Sequence, residues 1–137
     1  MEKTLILFKP DAVQRGLIGQ ILSAIEAKGF RILGLKLVQL TRDKAEEHYA
    51  PHKGKGFFND VCTYMTSGPV VALIVGGHNA IKGMRQLVGA TDPGQADPGS
   101  IRGRWAQTID KNLIHGSDSQ ESSDREIPIF FSKAEIL

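Results

Sequence analysis

Cysteine, long apolar runs and an excess of one charge are all scarce in this sequence. The 137 residues include one cysteine, Cys62, which cannot form an internal disulfide, so we expect a reducing compartment and a cytoplasmic location. No apolar run approaches the roughly 20 residues that a membrane-spanning helix needs. The net charge is only +2 and the basic residues are scattered, so nucleic-acid binding is not indicated.

Two common phosphate-binding motifs are also missing. The sequence has no G-x-x-x-x-G-K-[ST] loop and no G-x-G-x-x-G turn, which argues against a P-loop kinase and a dinucleotide-dependent enzyme. The apolar stretch at residues 4–8 is too short for a signal peptide and has no small-residue cleavage site. Any phosphate binding must therefore come from side chains that are dispersed along the chain.

The bulk composition is that of a globular protein. Apolar residues make up 41% of the sequence and charged residues 23%, with no internal repeat or low-complexity stretch. A chain of this length can bury a core of its own without disulfides or metals. We therefore expect one domain over residues 1–137.

Hydrophobic patterning predicts four strands separated by helices. Alternating or continuous apolar runs predict strands at residues 4–9, 30–40, 70–75 and 112–115. Apolar spacings of three and four predict helices at 18–25, 42–49, 58–65 and 79–88, the last capped by Asn79. A capping-box spacing of Ser117 with Gln120 predicts a further helix, which Pro128 ends. A turn carrying Gly16 and Gly19, and a long polar loop at 91–99, connect these elements. The order matches an α+β, ferredoxin-like βαββαβ fold, with four antiparallel strands backed by helices.

Residues 112–119, Asn-Leu-Ile-His-Gly-Ser-Asp-Ser, resemble the active-site signature of nucleoside diphosphate kinases. Further blocks stand in family order and extend the resemblance over essentially the whole chain: Lys9-Pro-Asp, Arg15-Gly-Leu-Ile-Gly, Gly29-Phe, His48-Tyr49, Thr66-Ser-Gly-Pro-Val-Val, Gly89-Ala-Thr-Asp-Pro and Pro98-Gly-Ser-Ile-Arg-Gly. The resemblance implies ping-pong transfer of the γ-phosphoryl group from a nucleoside triphosphate to a nucleoside diphosphate, with broad tolerance of base and sugar.

The chemistry of histidine agrees with that implication. A neutral imidazole is nucleophilic at neutral pH and can hold a phosphoryl group covalently between two transfers. The resemblance assigns this task to His115, with Glu126 fixing its tautomer and Ser117 hydrogen-bonding near the phosphate or the glutamate. A lone histidine is more often a structural residue, and the surrounding signature is what favours catalysis here.

The resemblance also implies a set of nucleotide-binding residues. It assigns phosphate contacts to Lys9, Arg85, Arg102 and Thr91, base stacking to Phe57, sugar contacts to Asn112 with Lys9, and a place near the catalytic histidine to Tyr49. Phosphoryl transfer depends on positioning and charge neutralisation, so dispersed cations suit it. Taken singly, each cation is typical of a solvated surface, and Phe57 and Tyr49 could equally be structural aromatics.

Partners and cofactor follow from the same resemblance. Magnesium is implied as the ion carried by the nucleotide phosphates, with no dedicated protein site. His48 and His52 are spaced i, i+4, but without an H-E-x-x-H pattern they are weak evidence for zinc. The short C-terminus is similar to that of bacterial-type members, and a homo-oligomer, tetramer or hexamer, is implied.

Two departures from the family pattern and two rival hypotheses remain open. Ala12 stands where glycine is usual, and Arg104-Trp105 stands where an acidic residue and an aromatic or leucine usually follow. Arg104 reverses a charge near Arg102, which leaves the local electrostatics and a subunit contact open. The rivals are a nonenzymatic regulatory module of the same fold, and a nucleic-acid-binding protein that uses Arg85, Arg102 and Arg104.

Overall fold

The computed structural model describes residues 1–137 and contains one four-stranded sheet. Its strands are β1 (Glu2–Phe8), β2 (Arg31–Val38), β3 (Val70–Gly77) and β4 (Ile114–Gly116). The sheet order is β2-β3-β1-β4, and each neighbouring pair is antiparallel. The predicted ferredoxin-like arrangement is therefore confirmed.

Seven α-helices connect and cover the strands. They are α1 (Pro10–Gln14), α2 (Ile18–Ala27), α3 (Arg42–His48), α4 (Phe58–Met65), α5 (Ala80–Val88), α6 (Ile101–Trp105) and α7 (Gln120–Phe130). Short 3-10 helices occupy Ala50–His52, Pro93–Gln95 and Lys133–Glu135. None of the helices combines the length and the apolar composition required to cross a membrane.

The two central strands, β1 and β3, are buried on both faces, as the continuous apolar run of β3 predicts. On one face, Ile6 and Leu73 pack with Ile21 of α2 and Met84 of α5. On the other face, a second cluster brings Leu5, Leu7 and Ile74 against Met65 of α4 and Phe130 of α7. Helices therefore cover both sides of the sheet, and the β4 edge carries the residues of the signature.

The start and end of α7 differ from the prediction. The N-cap is Ser119, whose side chain accepts from the N–H of Ser122 at 3.0 Å, so the expected capping spacing of Ser117 with Gln120 is wrong. Ser117 hydrogen-bonds elsewhere, to the carboxylate of Glu126. Pro128 lies inside the helix instead of ending it. Burial of the two following residues, Ile129 and Phe130, in the second core cluster stabilises the helix beyond the proline.

The cap of α5 also comes from an unexpected source. Asn79 precedes the helix in a left-handed conformation (φ 49°) and makes no side-chain cap hydrogen bond. The carboxylate of Glu2, at the start of β1, accepts the N–H of Ile81 at 2.8 Å. A carboxylate satisfies a free helix N–H as an asparagine side chain would, with a favourable charge at the positive end of the helix.

Two short helices, α1 and α6, lie in segments to which the sequence assigned no helix or strand. Pro10 begins α1, because proline tolerates the first helical position, and Gly19 lies inside α2 instead of in the turn. Ser100 caps α6 by accepting from the N–H of Gly103 at 3.0 Å. The last strand begins two residues later than predicted, because Leu113 adopts a left-handed conformation (φ 74°).

Candidate active site

His115 and Glu126 form a hydrogen-bonded pair at the edge of the sheet. Nε2 of His115, in β4, lies 2.9 Å from Oε1 of Glu126 in α7. The same oxygen accepts a hydrogen bond of 2.8 Å from the hydroxyl of Ser117. Because an ionised carboxylate only accepts hydrogen bonds, Nε2 carries the proton and Nδ1 keeps its lone pair. The side chain of His115 is 22% exposed and that of Glu126 only 7%. The pair therefore presents an oriented, unprotonated nitrogen at a surface that a ligand can reach.

A second histidine borders the first. The ring of His48, at the end of α3, meets the ring of His115 edge-on with centroids 4.7 Å apart. Burial, and then the positive charge that His115 can carry, hold the pKa of His48 well below its usual range. His48 is therefore neutral, and its buried Nδ1 has no hydrogen-bond partner. The sequence singled His48 out for its spacing from His52 and as part of the block His48-Tyr49, and neither feature indicates the approach of His115.

Tyr49 lies next to this histidine pair. Its ring meets that of His48 edge-on at 4.6 Å, and its hydroxyl is buried without a hydrogen-bond partner. Burial raises the pKa of Tyr49, so the hydroxyl stays protonated. An unpaired buried hydroxyl is costly, and a ligand oxygen in the adjoining cleft would supply the missing acceptor.

Lys9, Asn112 and Thr91 are linked by hydrogen bonds. Nζ of Lys9, at the end of β1, donates to Oδ1 of Asn112 at 2.9 Å, and Nδ2 of Asn112 donates to the carbonyl of Thr91 at 3.0 Å. Burial, and next the charge of Arg102, lower the pKa of Lys9 from 10.5 to about 8, although Asp11 acts in the opposite direction. The ammonium group is thus held where a bound anion would favour its charged form.

Arg102 is more deeply buried than the sequence suggested. Only 6% of it is exposed, and its guanidinium donates to the carbonyls of Gly89, Asn112 and Ile114 at 3.0, 3.2 and 2.6 Å. Burial, and then the charge of Arg85, lower the pKa of Arg102 to about 10. Three of its five N–H groups are occupied, which leaves two for a ligand. Arg85 itself is exposed on α5 and has no hydrogen-bond or ion-pair partner.

A cleft of about 710 Å³ opens next to the residues Lys9, Tyr49 and Asn112, whereas His115, Glu126, Arg85 and Arg102 are outside its lining. Its walls include five predicted site residues: Lys9, Tyr49, Phe57, Thr91 and Asn112. Phe57 precedes α4 with 45% of its surface exposed, and His52 meets its ring edge-on at 5.3 Å. The exposed Ile109 lines the same cleft, although nothing in the sequence pattern distinguished it from an ordinary loop residue. The cleft is large enough for a small organic ligand and has an exposed aromatic face.

The donor groups suit a cation that arrives with phosphates better than a resident ion. The one cluster with three metal-binding side chains is His48, His115 and Glu126, whose ligand atoms lie within 4.8 Å of one another. Glu126 already accepts from His115, and its other oxygen lies 3.6 Å from Arg125. Magnesium prefers an octahedron of oxygens, and this cluster offers a single carboxylate. The cations Lys9 and Arg102 instead match the oxygens of a polyphosphate.

Comparison with known proteins identifies one family. The model of the family described as nucleoside diphosphate kinase matches residues 2–136. The nucleoside diphosphate kinase of Roseiflexus castenholzii is 55% identical over 137 residues, which cover 100% of this chain and 92% of that protein. The corresponding enzyme of Thermoplasma acidophilum is 52% identical over 136 residues, 99% of this chain and 92% of that protein.

Solved structures agree with the sequence comparison. A halophilic nucleoside diphosphate kinase from Halobacterium salinarum, in complex with CDP, has a TM-score of 0.96 and 44% identity, covering 99% of this chain and 91% of that chain. The nucleoside diphosphate kinase of Aquifex aeolicus has a TM-score of 0.96 and 42% identity, covering 99% of both chains.

Proposed function

The chain belongs to the nucleoside diphosphate kinase family, and from this premise we propose that His115 carries the phosphoryl group in its reaction. The protein transfers the terminal phosphoryl group of a nucleoside triphosphate to a nucleoside diphosphate. The single observation that supports His115 is its hydrogen bond to Glu126, 2.9 Å from Nε2, which leaves Nδ1 free to attack.

Two half-reactions follow from this assignment. In the first, Nδ1 of His115 forms a bond to the γ-phosphorus while the bond from that phosphorus to its bridging oxygen breaks, releasing a nucleoside diphosphate. In the second, a terminal oxygen of the acceptor diphosphate attacks the same phosphorus and Nδ1 leaves with its electron pair. Nδ1 needs no general base, because it has no proton to lose.

Glu126 and Ser117 orient the nucleophile. The carboxylate of Glu126 holds the proton on Nε2 and stabilises the positive charge that the ring gains when Nδ1 bonds to phosphorus. The hydroxyl of Ser117 donates to Glu126 and accepts from the backbone N–H of Leu5 at 3.3 Å. The carboxylate is thereby tied to the central strand β1, which limits its rotation.

The phosphate chain is held by cations and hydroxyl groups. Lys9, Arg85 and Arg102 supply positive charge, and the hydroxyls of Thr91 and Tyr49 supply further hydrogen bonds. The unpartnered hydroxyl of Tyr49 and the unpartnered guanidinium of Arg85 support this role, because each has donors to spare.

The nucleoside occupies the outer part of the cleft. Its base stacks on the exposed ring of Phe57, and its sugar hydroxyls contact Asn112 and Lys9. Stacking does not depend on the edge of the base, so a broad range of bases is accepted. The nucleoside diphosphate kinase of Halobacterium salinarum, which shares this fold, is described in complex with CDP.

Nucleotide kinases of this family use a divalent cation, and we assign magnesium to that role. When bound to the nucleotide, the ion neutralises charge on the phosphate oxygens. Lys9, Arg85 and Arg102 are the cations of this chain that we assign to those oxygens, and none of them is a metal ligand.

Three further assignments complete the proposal. Residues 1–137 act as one domain, because both core clusters share the central strands β1 and β3. The functional unit is a homo-oligomer, tetramer or hexamer, and analytical ultracentrifugation will decide between them. The location is the cytoplasm, where nucleoside triphosphates are abundant and a free thiol such as Cys62 stays reduced.

The decisive experiment measures the mass of the intact protein after brief mixing with ATP and magnesium. We expect the wild type to gain one phosphoryl group and release ADP before any acceptor is added, while the His115→Ala variant gains none. The bond should be labile to acid and stable to alkali, as an N-linked phosphate is. A wild type that gains no mass, or a His115→Ala variant that still exchanges phosphate at the wild-type rate, would falsify the proposal.

A further inference from the structure

Arg125 extends from α7 to the end of α3 and makes contacts that its sequence position does not suggest. It stands immediately before Glu126, and its two terminal nitrogens donate to the carbonyls of Glu47 and His48 at 3.1 and 2.8 Å. The nitrogen that binds His48 is also 3.6 Å from Oε2 of Glu126. One guanidinium thus joins two helices and a buried carboxylate.

The contact with Glu126 restrains the side of the carboxylate that faces away from the nucleophile. Oε1 of Glu126 is occupied by His115 and Ser117, whereas Oε2 has no other polar partner in the structure. The positive charge next to Oε2 attracts the carboxylate through this oxygen, while Oε1 accepts from Nε2 of His115. Arg125 therefore supports the orientation of His115 through Glu126.

The contact with His48 restrains the other neighbour of the nucleophile. The carbonyl of His48 lies in the last turn of α3, where carbonyls lack helical partners, and Arg125 satisfies it. The ring of the same residue packs edge-on against His115. Glu126 and His48, whose side chains border the ring of His115, are thus both contacted by the guanidinium of Arg125.

We propose that Arg125 is a positioning residue for phosphoryl transfer: it fixes Glu126 and the end of α3 so that His115 presents Nδ1 to the phosphate. This inference rests on the proposed role of His115. Glu126 from α7 and the ring of His48 from α3 contact this histidine directly. The charged groups that act on the adjoining His48 are His115, Arg125 from α7, Lys9 after β1, and His52. Among them, only Arg125 touches the carboxylate and the backbone of α3 together.

A purely structural role makes a different prediction. The side chain of Arg125 is 37% exposed, and ion pairs at such sites contribute little to stability. If Arg125 only joined α7 to α3, its removal would lower the free energy of unfolding and leave the rate and pH profile of the folded enzyme unchanged. A positioning role instead lowers kcat in the folded enzyme and changes its pH profile.

The test compares Arg125→Ala and Arg125→Lys with the control Arg42→Ala. Arg42 is a matched arginine, 39% exposed, which pairs with Glu46 and hydrogen-bonds to Thr63 and Asn59, three residues outside the site. For each variant we would measure kcat, KM, the single-turnover rate of phosphorylation by ATP, and kcat/KM from acid to neutral pH, after verifying folding by thermal unfolding.

For Arg125→Ala we expect kcat and the single-turnover rate to fall about 10-fold, as for other residues that orient a reactive histidine, with KM within about twofold. The acid limb of kcat/KM should move to higher pH, because removal of a positive charge beside the site makes proton binding there more favourable. Arg125→Lys keeps the charge and should retain the wild-type acid limb, with a smaller loss of kcat. Arg42→Ala should match the wild type.

Three results would overturn the proposal: an Arg125→Ala enzyme with kcat within about twofold of the wild type, an equal loss in Arg42→Ala, or an acid limb that moves in Arg125→Lys. If Arg125→Ala fails to fold, kcat of the folded Arg125→Lys enzyme decides: a value equal to that of the wild type would overturn the proposal. Phosphorylation of the wild type tests His115 independently. If the wild type is phosphorylated by ATP and the Arg125→Ala enzyme keeps the wild-type kcat, only the role of Arg125 is refuted.

Discussion

The carboxylate of Asp11 accepts the backbone N–H of Leu113 at 3.1 Å, across 102 positions of the chain. Leu113 is fully buried and has a left-handed backbone (φ 74°), a conformation that costs a non-glycine residue free energy. Its carbonyl accepts the N–H of Lys9 at 2.8 Å. The strained turn that precedes β4 is therefore held by residues at the end of β1, and it carries Asn112 to the side chain of Lys9.

Removal of the Asp11 carboxylate should destabilise the fold. In Asp11→Ala the buried N–H of Leu113 and the hydroxyl of Tyr64 both lose their acceptor, so we expect the free energy of unfolding to fall by about 2–3 kcal/mol. Tyr64→Phe removes the hydroxyl that donates to the Asp11 carboxylate and accepts from the Asp11 backbone N–H, and should cost about 1–2 kcal/mol. Urea unfolding of the three proteins measures both differences. Equal stability of Asp11→Ala and the wild type would mean that the turn does not need this carboxylate.

The lowered pKa of Lys9 predicts a basic limb in the pH profile of kcat/KM. Because its pKa is lowered to about 8, the free enzyme should lose this charge, and with it phosphate affinity, as the pH rises through that value. We expect kcat/KM to fall above about pH 8 in the wild type and to show no such limb in Lys9→Arg, whose guanidinium stays charged.

Deprotonation of Lys9 should lower the activity of the enzyme without unfolding it. The unfolded chain still binds this proton up to the ordinary lysine pKa of 10.5, so deprotonation of Lys9 in the folded state adds stability above pH 8. Thermal unfolding at each pH is the control. If Lys9→Arg kept the wild-type basic limb, another group would have to account for it.

Arg102 and Arg104 should differ strongly in their contribution to the rate of phosphoryl transfer. Arg102 is buried beside Asn112, whereas Arg104 is exposed and stacks on Trp105 at 4.2 Å. We expect Arg102→Ala to lower kcat about 10²-fold, by analogy with the loss of a single oxyanion donor. Arg104→Ala should stay within about fivefold of the wild type, near 1 kcal/mol.

The assay is steady-state exchange between ATP and a diphosphate acceptor, with unfolding curves as the control. Arg102 also binds three backbone carbonyls, so the folded fraction of Arg102→Ala must be known before its rate is interpreted. A larger loss in Arg104→Ala than in Arg102→Ala would show that the assignment across this departure from the family pattern is wrong.

Phe57 predicts weak discrimination among bases. Stacking on an exposed ring contributes contact energy without hydrogen bonds to the base edge. We expect kcat/KM for adenine, guanine, cytosine and uracil nucleotides to lie within about 1000-fold of one another, roughly 4 kcal/mol. Phe57→Ala should raise KM for all four, with a loss of about 1–3 kcal/mol per base. A base-selective loss in that variant would indicate recognition of the base edge.

The sequence by itself determined the local elements and the segment that carries the chemistry. The continuous apolar run at 70–75 is enough to place a central strand, because a strand buried on both faces needs apolar side chains at every position. The spacing of Ile18, Ile21 and Ile25 likewise defines one helix face. Residues 112–119 identified the family and its histidine. Such patterns lie within about a dozen neighbouring residues, which is why they can be recognised without a structure.

Only the tertiary structure decided which polar groups meet. Ser117 and Ser119 are equally good helix caps by sequence, yet Ser119 caps α7 while Ser117 binds Glu126. The contacts of Asp11 with Leu113 and of Arg125 with His48 span 102 and 77 positions. A side chain with several possible partners binds the one that the packed strands and helices bring within about 3 Å, and that distance exists only once the sheet has assembled.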